Sequence, residues 1–131
     1  MKITIFKLTE YVYYFSLLVL LILYLFPGSL IGYFLYGSLG QQPNLIANPI
    51  GTSINHLIFF SYITLLAIIV RLKGKNIFNN YKLILFISCI LEISHLIVPN
   101  RAFELYDLIA NITGVVIILF ISNFIKWQKY F

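Results

Sequence analysis

The stretch from position 92 to 114, EISHLIVPNRAFELYDLIANITG, holds most of the side chains in this chain that could do chemistry. It contains three of the four acidic residues (Glu92, Glu104 and Asp107), one of the two histidines (His95) and Arg101, which stands apart from every other basic residue. On a helix, Glu92 and His95 are three apart and Asp107 and Asn111 four apart, so each pair shares a face. The second histidine, His56, opens another apolar run in NHLIFF.

These residue types permit three kinds of chemistry. The planar fork of Arg101 can hold a carboxylate or a phosphate through two hydrogen bonds. Glu92 or a histidine can act as a general base beside a group that stabilises developing charge. His56, Glu92, His95 and Asp107 are each permissible zinc ligands. The spacing E-x-x-H, however, is not a diagnostic zinc motif, so neither a metal nor any other cofactor is expected. Ser53 and Ser94 lack the surroundings of an activated nucleophile. Against the functional readings stands a bland one, in which Arg101 pairs with Glu92 or Asp107 and the cluster only locks two helices together. Asp107 also stands where the N-terminal cap of a helix is expected.

The rest of the chain must position these groups, and its composition says in what medium. Of 131 residues, 61% are hydrophobic and only 10% charged, against about 25% charged in a globular protein. This is the composition of a membrane protein and of a single domain, 1–131. The net charge of +5 is not a nucleic-acid signal, because the basic residues flank hydrophobic runs and no nucleic-acid motif is present. The single cysteine, Cys89, lies within an apolar run and reads as a small hydrophobe. Lys2 and Lys7 before the first apolar run resemble the start of a signal peptide, but no small-residue cleavage site follows, so a retained membrane helix is expected.

Four spans are expected, at about 11–26, 54–70, 83–98 and 108–125, each close to the length a bilayer requires. The connection 27–53 has no charge and carries five of the seven glycines and three of the four prolines. Such punctuation argues against a continuous helix, and its aromatic centre Tyr33-Phe34-Leu35-Tyr36 suits the headgroup level. The expectation there is an interfacial or partly re-entrant loop covering the outer end of the bundle. Lys2 and Lys7, Arg71 to Lys82, and Lys126 with Lys129 all fall on one side of such a topology, so eight of the nine basic residues are cytoplasmic and only Arg101 is outside. The fold class expected is all-α, an integral membrane four-helix bundle with both termini cytoplasmic and a long outer loop between helices 1 and 2. Glu92 then lies on the order of 10 Å inside the outer end of its helix, where an ionised carboxylate needs a partner or a proton.

Six spaced positions, Glu92, Pro99, Arg101, Asp107, Asn111 and Gly114, together with His56, Phe59 and Phe60 upstream, make the sequence resemble the VanZ-like family of small bacterial membrane proteins from about Asn55 to Phe120. The chain departs from that pattern at His95, where the family usually has glutamine, and at Ser53-Ile54-Asn55, where it often has Asp-Lys. The resemblance implies the bacterial cytoplasmic membrane and a role at the cell envelope, since the family is named for decreased sensitivity to the glycopeptide teicoplanin. The expectation is therefore an outward-facing pocket of His56, Glu92, His95, Arg101, Asp107 and Asn111. Its expected ligand is an anionic envelope component such as a lipid-linked precursor headgroup, with membrane lipids as the surrounding partners. Two alternatives stay open: a membrane-embedded enzyme acting on a lipid or peptidoglycan intermediate, and a structural or partner membrane protein.

Overall fold

The computed structural model describes residues 2–43, 51–72, 74 and 78–128. Within these the chain is all-α, with five helices: α1 (Lys2–Leu25), α2 (Leu30–Tyr36), α3 (Gly51–Arg71), α4 (Tyr81–Ser94) and α5 (Leu105–Gln128). Residues 44–50 of the long connection lie outside the described residues, as do Lys73, Lys75, Lys129 and Tyr130 of the basic flanks.

Local chemistry sets most of the helix ends. The last backbone bond of α1 runs from Phe26 N–H to Ile22 O; the next would need an N–H from Pro27, which has none, so the helix stops. Gly28 then turns the chain at φ 84°, a backbone angle at which a side chain is disfavoured. Ser29 caps α2 by accepting a hydrogen bond from Gly32 N–H at 2.9 Å. Gly37, at φ 70°, closes α2 by donating its own N–H to Tyr33 O. Asn80 caps α4 through Lys82 N–H. Beyond Ser94 the backbone tightens into short-range bonds and reaches Pro99, which disfavours a helical residue before it. Val98 O then accepts from Arg101 N–H across Pro99-Asn100, with Asn100 at φ 57°, the pattern of a type II turn.

Among the described residues three helices are long and apolar enough to cross a membrane: Ile5–Leu25, Ser53–Arg71 and Leu105–Ile125. The fourth expected span is shorter than its sequence reading. α4 has 14 residues, about 21 Å at 1.5 Å per residue, against roughly 30 Å of hydrocarbon. It ends four residues before position 98 because Pro99 already constrains the preceding turn. α1 conversely begins at Lys2 rather than 11, since Lys and Glu are good helix formers that extend an apolar helix at little cost. The long connection also holds more regular structure than expected, in the seven-residue α2.

α3 lies at the centre, packed most extensively on α5 and also on α1 and α4. Tyr13, Leu20, Phe60, Ile63, Ile84, Leu91 and Val115 form the buried core. Large apolar side chains such as Phe15, Leu18, Phe86 and Phe120 are exposed on the outside, while Ser88, Glu92, Asp107 and Asn111 are buried. An apolar exterior around a polar interior is the distribution that a lipid solvent favours.

The α3–α5 contact depends on Gly114. A Cβ there would stand 2.5 Å from Leu57 O and 3.0 Å from Ser61 N, both backbone atoms that cannot swing aside, and Ser61 Oγ donates to Gly114 O at 3.2 Å across the same contact. Small residues allow this approach in helix pairs. Gly114→Ala is expected to lower stability by about 1–3 kcal/mol, read as a reduced thermal unfolding midpoint in detergent. Gly74→Ala, which meets nothing within 4 Å, is the control expected to leave the midpoint unchanged.

Candidate functional site

Four helix ends converge at one end of the bundle. Tyr24 comes from the last turn of α1, Ser53 and His56 from the first turns of α3, Glu92 from the end of α4 with His95 just beyond it, and Asp107 and Asn111 from the start of α5. The helical spacings read from the sequence place each pair on the inward face. Glu92 and Asn111 are fully buried, and His95 and Asp107 nearly so.

His56 is the centre of the network. Its Nε2 lies 3.3 Å from Asp107 Oδ2 and its Nδ1 3.8 Å from Glu92 Oε2. Nδ1 also lies 2.6 Å from the Tyr24 hydroxyl and 3.2 Å from Asn111 Oδ1. Tyr24 OH donates to Asn111 Oδ1 at 2.9 Å, and Asn111 Nδ2 donates to Ser88 O at 3.2 Å. Tyr24 has one hydroxyl hydrogen for two acceptors, so the ring hydrogen of a neutral His56 sits on Nδ1 when Tyr24 donates to Asn111, and on Nε2, toward Asp107, when Tyr24 donates to Nδ1.

Each carboxylate has one oxygen held and one turned inward. Asp107 Oδ1 accepts from Ser53 Oγ at 2.5 Å, while Oδ2 faces His56. Glu92 Oε1 lies 3.2 Å from His95 Nδ1 and accepts from Glu104 N–H at 3.3 Å, while the buried Oε2 has no hydrogen-bond partner. His95 is fixed by stacking on Tyr24, with ring centroids 5.3 Å apart and planes at 15°. Asp107 is not the cap of α5: it sits in the first turn, its N–H bonded to Glu104 O, with its side chain committed to Ser53 and His56.

Arg101 does not make the ion pair that the bland reading requires. Its Nη2 donates to Leu23 O at 2.6 Å, the carbonyl that Pro27 leaves without its helical donor. Its Nε is buried with no partner, and among the described residues no carboxylate lies within ion-pairing distance. Burial lowers its pKa from the ordinary arginine value, opposed by the neighbouring Tyr24 and Glu92; arginine remains cationic under such shifts.

Beside the cluster is a cavity of about 110 Å³ bounded by α1, α2, α3 and the α4–α5 turn, with Tyr24, Ser29, Gln42, His56, His95 and Arg101 among its walls. It exceeds the space of one water and falls below the roughly 300 Å³ of a drug-sized pocket, so it fits a phosphate-sized group. Asn55 and Pro43 also line it, joined by a hydrogen bond from Asn55 Nδ2 to Pro43 O at 2.7 Å.

All six residues expected from sequence, His56, Glu92, His95, Arg101, Asp107 and Asn111, therefore meet at one end, Arg101 on the cavity side and the carboxylates behind His56. Tyr24, Ser53 and the Ser88 carbonyl were not anticipated. Tyr24 is one of ten tyrosines, and nothing in its spacing separates it from those facing outward. Ser53 had a weaker signal, three positions before His56 on the same helix face. Comparison of the chain with family models, curated proteins and solved structures gives no match.

Glu104, just outside α5, feels this concentration of negative charge. Partial burial, and then the charges of Asp107 and Glu92, raise its carboxyl pKa above the usual value. A raised acid pKa means that the folded state binds the proton more tightly than the unfolded state, so stability falls as pH rises from the unfolded value of about 4.3 through the folded one. Glu104→Gln is expected to be more stable than the native chain at neutral pH, with the difference vanishing below about pH 4, as read from unfolding midpoints across a pH series in detergent.

Proposed function

We propose that this chain is a VanZ-like protein of the bacterial cytoplasmic membrane that binds an anionic cell-envelope component in its Arg101 cavity and thereby influences sensitivity to teicoplanin-type glycopeptides. In this reading α4 and the turn after it complete a fourth crossing, both termini are cytoplasmic, and the cavity opens outward. The asymmetry of the basic residues about such a topology supports it.

The observation that carries the binding reading is the state of Arg101. A guanidinium on a cavity wall, with one nitrogen anchored on Leu23 O, another buried without a partner and, among the described residues, no carboxylate in range, has donors to offer a phosphoryl group. Its anchor on the end of α1 fixes the fork in place, which reduces the entropy lost on binding.

A second reading, an enzyme acting on a lipid or peptidoglycan intermediate, is favoured by the His56–Asp107 pair. A histidine oriented by a carboxylate is the arrangement of a general base, and His56 also borders the cavity.

Replacement of Arg101 separates these roles. In folded, membrane-inserted protein, Arg101→Ala is expected to weaken binding to vesicles carrying phosphate-monoester lipid by at least about tenfold, roughly 1.4 kcal/mol. Binding to zwitterionic vesicles should stay unchanged. Arg101→Lys, which keeps charge but loses the planar fork, should give an intermediate loss. Unchanged lipid binding and unchanged glycopeptide sensitivity in Arg101→Ala would overturn the proposal.

A further inference from the structure

The geometry points to a divalent metal site, of the zinc class, formed by His56 Nε2, Asp107 Oδ2 and Glu92 Oε2. One ligand atom from each of His56, Glu92 and Asp107 can be chosen so that all lie within 4.8 Å of one another. The 3.3 Å between His56 Nε2 and Asp107 Oδ2 is close to the spacing of two ligands around a tetrahedral ion with bonds of about 2.0–2.1 Å. A modest inward movement of the Glu92 side chain would complete the set.

The outer contacts of the three residues favour this site over a mere cluster of acids. Metal-binding residues are normally held through the atom that does not bind the metal. Here Ser53 holds Asp107 by Oδ1, while His95 and the Glu104 N–H hold Glu92 by Oε1. Tyr24 and Asn111 hold His56 by Nδ1. What remains are His56 Nε2 and Asp107 Oδ2, 3.3 Å apart, and Glu92 Oε2, which lies 3.8 Å from the Nδ1 side of the same ring. With the ring hydrogen on Nδ1 the Nε2 lone pair faces Asp107 Oδ2, and Glu92 Oε2 is fully buried with no hydrogen-bond partner.

Charge balance leads to the same conclusion. Two carboxylates are buried within the bundle, and among the described residues no lysine or arginine lies within ion-pairing distance of either. Uncompensated buried charge is among the costliest features a fold can carry, and one divalent cation would neutralise both carboxylates. The donors are nitrogen and oxygen only, a set suited to zinc and to the harder divalent ions of the first transition series. Three protein ligands leave a coordination position for water or another small ligand, the arrangement of catalytic rather than structural zinc. The site departs from the expectation of no metal because E-x-x-H supplies only one ligand to it: the others come from helices far apart in sequence. It does not depend on the anion-binding reading, since its donors lie behind His56 and exclude Arg101.

The test is metal binding by the full chain purified in detergent, stripped with chelator, loaded with zinc and desalted. The expected result is about one zinc per chain and a higher unfolding midpoint with zinc than with chelator. The X-ray absorption spectrum should show a first shell of nitrogen and oxygen near 2.0–2.2 Å with no sulfur. Asp107→Asn and His56→Ala should each weaken zinc binding by more than about tenfold, while Cys89→Ser should bind as the native chain does. Should either ligand variant fail to fold, the stoichiometry and absorption spectrum of the native protein decide the question. Folded native protein that retains no zinc, manganese or iron(II) after loading would overturn the site and leave a shared proton as what joins the three residues. Zinc held equally by the native chain and both ligand variants would overturn it too.

Discussion

Burying two carboxylates in a lipid-facing bundle is the constraint on which the rest of this structure depends. Glu92 and Asp107 sit on different helices, yet both turn toward His56, and every other polar group nearby is placed to supply a donor or to hold one in position. An unpaired buried charge would cost more than a small bundle can spare. The hydroxyl of Ser53, the backbone N–H of Glu104 and the ring of His95 are therefore structural requirements as much as functional ones. Neutral donors reach one oxygen of each acid; the facing oxygens answer only to His56.

Bringing four helix ends to one point requires close backbone packing and unusual terminations. Gly114 lets α5 approach the backbone of α3, which places Asp107 and Asn111 opposite Ser53 and His56. Pro27 ends α1 and strips Leu23 O of its donor, and Arg101 supplies the replacement from the α4–α5 turn. The same contact keeps Arg101 away from the carboxylates and on the cavity wall. A helix stop in one part of the chain thus decides the partner of an arginine seventy-eight residues beyond Leu23. The cationic wall and the acidic core are kept apart although both occupy the same end of the bundle.

The sequence by itself determined the medium and most of the polar groups that meet at one end of the bundle. Scarcity of charge identified a membrane protein, helical spacing put Glu92 with His95 and Asp107 with Asn111, and the isolation of Arg101 marked it as unusual. These signals are local or compositional, and solvent preference and the 3.6-residue period act on every such segment alike. Only the tertiary structure decided who pairs with whom. It gave Arg101 a backbone carbonyl in place of the ion pair of the bland reading, moved Asp107 from a cap to the core, shortened α4 and recruited Tyr24 and Ser53. Those outcomes depend on how close α1, α3, α4 and α5 approach one another, which is set by Gly114 and by side-chain packing across long separations in the chain, and no local spacing encodes that distance.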